Sequence, residues 1–217
     1  MIRTVIFDMD GVIIDSEPIH FKMENEMFQE LKIAISYEEH CSFVGTSSKN
    51  MWQIIAEKYG LKVDPKELVN KQHALYMAYL MNEKDLRPIA GVVELIQDLY
   101  HNGFKLVLAS SSYMEVIEAV LSKFNLPNYF MARVSGTELA NSKPHPEIFI
   151  QSAKLANSEA VECVVIEDSQ NGITSAKAAG MKCIGFANPN SGAQDLSKAD
   201  LIIHSFDELN AKAIATF

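Results

Sequence analysis

Thr4-Val5-Ile6-Phe7-Asp8-Met9-Asp10-Gly11 is the stretch on which the fold turns. Its first four residues are apolar or β-branched and read as a short buried strand. Two carboxylates, two residues apart, follow at once. In open α/β sheets, ligands gather outside the carboxyl ends of parallel strands. Side chains two apart on an extended chain lie on one side, so Asp8 and Asp10 can face the same small volume. One could attack a phosphorus atom while the other manages the proton of an alcohol. Gly11 then permits a sharp departure of the backbone. Taken alone, the motif also reads as a solvated Asp-Gly turn.

Working outward, four further runs have the same character: Phe104–Ala109, Cys163–Ile166, Met181–Phe186 and Ala199–Ile203. Helical periodicities alternate with them. Val92-Val93-Leu95-Ile96-Leu99 stops at Asn102-Gly103, Val116-Ile117-Val120-Leu121-Phe124 follows the second strand, Pro146–Leu155 starts near a proline, and Ile173-Ala176-Ala179 closes at Gly180. Strand–helix–strand alternation predicts an α/β fold with a doubly wound, Rossmann-like parallel sheet. Residues from about Glu17 to Leu80 show helix periodicity and no convincing strand. The expected organisation is a core of residues 1–15 and 83–217 with an inserted all-helical unit at 16–82.

Bulk properties narrow the function. The 217 residues are 48% hydrophobic and 22% charged, with a formal net charge of −9. An acidic surface argues against nucleic acid or an anionic membrane as partner. Cys41, Cys163 and Cys183 form no CxxC pair and read as reduced thiols. Asp8 and Asp10 break the N-terminal apolar run too early for a secretory segment. A cytoplasmic monomer is expected, and the acidic surface leaves room for a small anionic substrate.

Three more segments complete the chemistry. Glu167-Asp168 follows Cys163–Ile166, so a second acidic pair ends a strand. Two such pairs on neighbouring strands would repel and need a cation, and all-oxygen ligands suit magnesium. Capping of the next helix by Asp168 or Ser169 is the competing reading, which leaves Glu167 unexplained. Ser110, at the end of Phe104–Ala109, could hold a phosphoryl oxygen, whereas Ser111 and Ser112 read as helix caps. Lys143, in Ser142-Lys143-Pro144-His145-Pro146, could neutralise phosphate charge, or be an ordinary surface lysine.

In this order, Asp8-Met9-Asp10-Gly11, Ser110, Lys143-Pro144 and Glu167-Asp168-Ser169 with Asn171-Gly172 resemble the haloacid dehalogenase superfamily. Within it the sequence is similar to the β-phosphoglucomutase and sugar-phosphate phosphatase branch. The resemblance implies that Asp8 is the nucleophile and forms an aspartyl-phosphate, with Asp10 as general acid and base. It implies magnesium held by Asp8, the Asp10 backbone carbonyl and Asp168, with Glu167 beside it, and a phosphoryl group gripped by Ser110 and Lys143. The helical insert would be the substrate-selecting cap. His20 matches a cap-hinge histidine associated with mutases, or is an ordinary helix-surface histidine. Val44-Gly45-Thr46-Ser47-Ser48-Lys49 resembles the cap's substrate loop, with Gly45, Ser48 and Lys49 as candidate contacts. Ser48 stands where mutases carry an arginine, and Lys49 lacks its bidentate fork. Tyr113-Met114 replace a Lys-Asn pair, and a further cap lysine is matched only loosely by Lys71 or Gln72. These departures favour hydrolysis of a sugar phosphomonoester over mutase action. The alternatives are a hexose-phosphate mutase and a non-catalytic binding protein on the same fold.

Overall fold

The computed structural model describes residues 1–217. Its centre is β1 (Thr4–Phe7), every residue of which is buried. The chain then runs through α1 (Glu17–Glu30), α2 (Tyr37–Cys41), α3 (Ser48–Tyr59) and α4 (Pro65–Asn82) before any second strand forms. From there strands and helices alternate: α5 (Val92–His101), β2 (Lys105–Ser110), α6 (Met114–Lys123), β3 (Ala132–Ser135), α7 (Glu147–Leu155), β4 (Cys163–Glu167), α8 (Gln170–Ala178), β5 (Lys182–Phe186), β6 (Leu201–Ile203) and α9 (Ala211–Thr216).

The six strands make one parallel sheet in the order β3-β2-β1-β4-β5-β6. The predicted doubly wound class is what forms. β3 was not among the expected strands. It is a four-residue edge strand, Ala132-Arg133-Val134-Ser135, too short and too polar to stand out from the sequence. The order reverses at β1: the chain runs outward through β2 and β3 on one side and then returns to β4 on the other, and this is where open α/β sheets build sites.

Side-chain alternation divides the interior. Val5, Phe7, Leu106, Leu108, Val164 and Ile166 point to the face covered by α5, α6 and α9. Ile6, Val107, Ala109, Val165 and Cys183 point to the face covered by α7 and α8, where Phe149 and Ile173 pack. Both faces are apolar, which is why the strands read as nearly continuous hydrophobic runs.

The helical segment has a separate core of Met27, Phe28, Met51, Trp52, Ile55, Leu68 and Val69. Its helices have local start and stop signals. Ser47 caps α3 through the Asn50 amide at 3.4 Å, and α3 stops at Gly60. Asp64 caps α4 through the Lys66 amide at 2.9 Å, with Pro65 in the first turn. The two passages between this segment and the sheet lie side by side. Ile14 bridges Pro88, and the Ile89 amide donates to the Ile13 carbonyl at 2.9 Å.

Phe149 is fully buried at the sheet–helix interface, whereas Val161 is 75% exposed. Phe149→Ala should therefore lower the unfolding free energy in a urea titration by about 3–5 kcal/mol. Val161→Ala should stay within about 0.5 kcal/mol of the parent.

Candidate active site

β1, β2 and β4 end side by side, so their last residues meet. Phe7 is in register with Leu108 of β2 and Ile166 of β4. Asp8 and Glu167, which follow Phe7 and Ile166, and Ser110, two residues past Leu108, therefore emerge at the same end of the sheet. The Asp8 amide still donates to the Ile166 carbonyl at 3.0 Å, which holds this carboxylate at the strand end.

Asp8, Glu167 and Asp168 each offer a carboxylate oxygen within 4.8 Å of the others, and all three are buried. Lys143 reaches them from the loop before α7. Its Nζ donates to Asp8 Oδ1 and to Glu167 Oε1, both at 2.6 Å, with its side chain 1% exposed. The surface-lysine reading of Lys143 is thereby corrected: it is an internal counter-charge. Glu167 Oε2 accepts from the Ser169 amide and hydroxyl, each at 2.9 Å. Ser169 also caps α8 through the Gly172 amide at 3.0 Å. Capping thus falls to Ser169, and Asp168 turns inward, where the Ser191 hydroxyl donates to it.

Two glycines make room for these acids. A Cβ on Gly172 would lie 1.7 Å from Glu167 Oε1, and one on Gly11 would lie 1.9 Å from Asp168 Oδ2. Gly11 also has φ +75°, which suits glycine.

One ammonium faces three buried carboxylates. Burial raises Asp8 well above the usual carboxylate range. Lys143 opposes that rise, and Glu167 and Asp10 add to it. Burial likewise raises Asp168, reinforced by Glu167 and Asp8. Burial disfavours the Lys143 ammonium, but the charges of Asp8 and Glu167 prevail and raise it. The donor set is all oxygen, close-set and short of positive charge, which fits a hard divalent cation.

Asp10 faces a different environment. Its Oδ1 accepts from Ser16 Oγ at 2.7 Å, and its Oδ2 accepts from Ser112 Oγ at 2.8 Å and Ser110 Oγ at 3.2 Å. His20 Nε2 stands 3.8 Å from Oδ1. Burial pushes the Asp10 carboxyl up, but His20, Ser16 and Ser112 outweigh it and bring it below the ordinary value. Burial pulls the His20 imidazole down, yet Asp10, Glu17 and Glu24 raise it to about 9. His20 is therefore no ordinary surface histidine.

The remaining candidates separate. Gly45 and Ser48 line the chamber above Asp8 and Asp10, together with Glu17, His20, Glu24, His40, Gln72 and Ser112. Ser110 is fully buried and lies beneath them. The capping expectation for Ser111 and Ser112 fails, because Ser112 donates to Asp10 and Ser111 donates to the Gly45 carbonyl at 3.0 Å. The cap position of α6 is Tyr113, which makes no side-chain capping bond. Lys49 lines an adjoining crevice with His73 and Tyr113, outside the chamber. Lys71 pairs with Glu30 on the surface and does not reach the site, while Gln72 does. Ser16, Glu17, Glu24, His40 and Ser191 went unpredicted. Only the helical period placing Glu17 and Glu24 on the same face of α1 as His20 could have hinted at two of them.

Comparison with known proteins places this arrangement. The model of a family described as haloacid dehalogenase-like hydrolase matches residues 5–186. Hexitol phosphatase B of Escherichia coli (strain K12) is 30% identical over 97% of this chain and 96% of its own length. Beta-phosphoglucomutase of Bacillus subtilis (strain 168) is 28% identical over 98% of this chain and 93% of its own. The crystal structure of a beta-phosphoglucomutase from Clostridium difficile superposes with a TM-score of 0.87 at 26% identity, covering 100% of this chain and 96% of that one. No helix is long and apolar enough to cross a membrane.

Four buried groups share one sign of pH linkage. Asp8 and Asp168 are raised from 3.8, Glu17 from 4.5 to about 8 by burial, and His20 from 6.5 to about 9. Each binds its proton more tightly when folded, so its contribution is complete below the unfolded value and is lost as pH rises through the folded one. With divalent cations chelated, Tm should fall steadily between about pH 5 and about pH 9. Differential scanning fluorimetry across that range checks this, and a flat or rising curve would contradict the charge analysis.

Proposed function

The chain belongs to the haloacid dehalogenase-like hydrolases, as an enzyme of the phosphatase and β-phosphoglucomutase-like kind, and from that premise we propose that it hydrolyses a small sugar phosphomonoester through an aspartyl-phosphate on Asp8. The observation that carries this reading is the contrast between the two aspartates. Asp8 lies against Lys143 in the acidic cluster, and Asp10 lies among hydroxyls and His20, turned to the chamber.

Asp8 attacks the phosphorus, and the bond from phosphorus to the sugar oxygen breaks. Asp10 supplies the proton to the departing alcohol. Water then enters, loses a proton to Asp10 and attacks the phosphorus, releasing inorganic phosphate and restoring Asp8. Asp10 can serve both steps because its environment changes. In the free site it is held as a base, and an arriving phosphate anion pushes its carboxyl up toward the acid form. Lys143 offsets negative charge beside Asp8, and Ser110 and Ser112 set the Asp10 carboxylate in place.

Magnesium would be held by Asp8, Glu167 and Asp168 with the Asp10 backbone carbonyl, and would supply charge neutralisation for the phosphoryl oxygens. Residues 16–82 would act as a cap over residues 1–15 and 83–217, closing on substrate. Asn171 Nδ2 donates to the Val44 carbonyl at 3.0 Å, and Ser47 and Ser142 hydroxyls lie 2.8 Å apart, so the two parts are latched together here. A cytoplasmic location agrees with a phosphorylated metabolite as substrate.

Hydrolysis is favoured over isomerisation because no lysine or arginine lines the chamber, leaving nothing cationic there but histidine to hold a second phosphate. Incubation with β-glucose 1-phosphate decides this: free phosphate supports the phosphatase, and glucose 6-phosphate supports the mutase. Asp8→Asn should lower kcat on p-nitrophenyl phosphate by at least about 10³-fold while circular dichroism stays unchanged. Retained activity would remove Asp8 as nucleophile. Magnesium should raise Tm over the chelated protein, more at pH 8 than at pH 5, and Asp168→Asn should abolish the increment. An Asp168→Asn protein that kept the full increment would overturn the metal assignment.

A further inference from the structure

The part of the chamber facing away from Asp8 contains a buried polar chain that the hydrolysis itself does not use. Trp52, fully buried, donates from Nε1 to Gln72 Oε1 at 2.8 Å. An indole N–H can only donate, so it fixes the Gln72 amide with its NH₂ group turned the other way. That group donates to Glu24 Oε1 at 2.5 Å. His40 Nε2 bonds to the other oxygen, Glu24 Oε2. Glu24 is 7% exposed, His40 4% and Gln72 4%, and all three line the chamber that also contains Asp8 and Asp10. The chain comes from four helices, α1 through α4, so its geometry is set by the packing of the whole helical segment.

Its polarity is one-directional. Glu24 is an acceptor on both oxygens, the pattern a carboxylate satisfies, and each oxygen keeps acceptor capacity for a further donor. Glu17 stands on the same face of α1 and also lines the chamber. Phe21 and Phe43 supply apolar wall between the polar groups. Lys49 of α3 lines an adjoining crevice that shares Gln72, His20 and Ser48 with the chamber. A substrate tail that enters this space meets the Glu24 acceptors, aromatic carbon and the hydroxyls of Thr46 and Ser48; His20 is turned to Asp10, and no lysine or arginine lines the chamber.

We propose that the Glu24–His40–Gln72 chain is the specificity element of this enzyme, reading an uncharged polyhydroxy tail by accepting its hydroxyl protons and rejecting a tail that ends in a carboxylate or a second phosphate. This rests on the phosphatase reading above and names the substrate class for the same site. Hydroxyl donors satisfy the free acceptor positions of Glu24, whereas an anionic end meets like charge in a site shielded from water, where such repulsion is strong. Indole-to-amide-to-carboxylate ordering keeps Glu24 from turning away to escape.

Two probes differ only at the end distant from the phosphate: glucitol 6-phosphate ends in CH₂OH and 6-phosphogluconate in a carboxylate. With magnesium present, the wild-type protein should prefer the polyol by at least about tenfold in kcat/KM. Glu24→Gln should reduce that preference at least fivefold, chiefly through KM for the polyol. Its loss of kcat/KM on the polyol should exceed its loss on p-nitrophenyl phosphate, which has no hydroxylated tail, by at least about fivefold. Equal use of the two probes by wild type, or hydrolysis of p-nitrophenyl phosphate but of neither probe, would overturn the proposal without any variant. A Glu24→Gln protein that loses p-nitrophenyl phosphate and polyol turnover in proportion would show a merely structural role and overturn it too. If even p-nitrophenyl phosphate is inert, the phosphatase reading itself fails and takes this inference with it.

Discussion

The ammonium of Lys143, 2.6 Å from both Asp8 and Glu167, is the interaction around which the molecule is arranged. Three carboxylates buried at the ends of two neighbouring strands repel one another, and a charge taken out of water needs a partner. Lys143 supplies one positive charge and leaves the cluster still acidic, which fits a hard divalent cation. Other features follow from that density of charge. Gly11 and Gly172 carry no side chain because Asp168 and Glu167 occupy the space one would fill. Ser169 and Ser191 are placed to donate to the same acids.

The sheet makes this crowding affordable. All strands are parallel and β1 is flanked by β2 and β4, so three carboxyl ends open on one point. The apolar faces on either side hold the strands rigidly. The helical segment is then laid across the opening. It keeps a hydrophobic core of its own, Met23, Tyr76 and Leu80 join the apolar cluster of the sheet, and Ser111, Asn171 and Gln194 donate to its backbone carbonyls. In the proposed reading, the acids at the strand ends carry the chemistry and the helical segment above them carries substrate choice.

Much of the lower layer was legible from the sequence. Asp8, Ser110 and Glu167 each directly follow or end an apolar β-branched run, and a strand end is a local feature that pattern reading detects. The upper layer was not. Glu24, His40 and Gln72 lie on three separate helices, and no spacing in the chain relates them. β3 was missed for a simpler reason: Arg133 interrupts four residues that are otherwise too few to show alternation. Ser112 was misread because a serine ahead of a helix is usually a cap, and only the fold shows that α6 begins at Met114 and that this hydroxyl belongs to Asp10. Lys71 and Gln72 are adjacent in sequence but on different sides of α4, so the charged one faces Glu30 and the neutral one faces the chamber.

The sequence by itself determined the parallel α/β architecture, the run of helices between β1 and β2 and the acids that end β1 and β4, because hydrophobic period and strand ends are properties of neighbouring residues. Only the tertiary structure decided what surrounds each acid: Lys143 from 135 positions away on Asp8, Ser112 from 102 positions away on Asp10, and Glu24 joined to Gln72 across 48. Those pairings set which carboxylate is crowded and which is held as a base. Such charges and hydrogen bonds act through space over a few ångströms, and the chain order contains no distance of that kind.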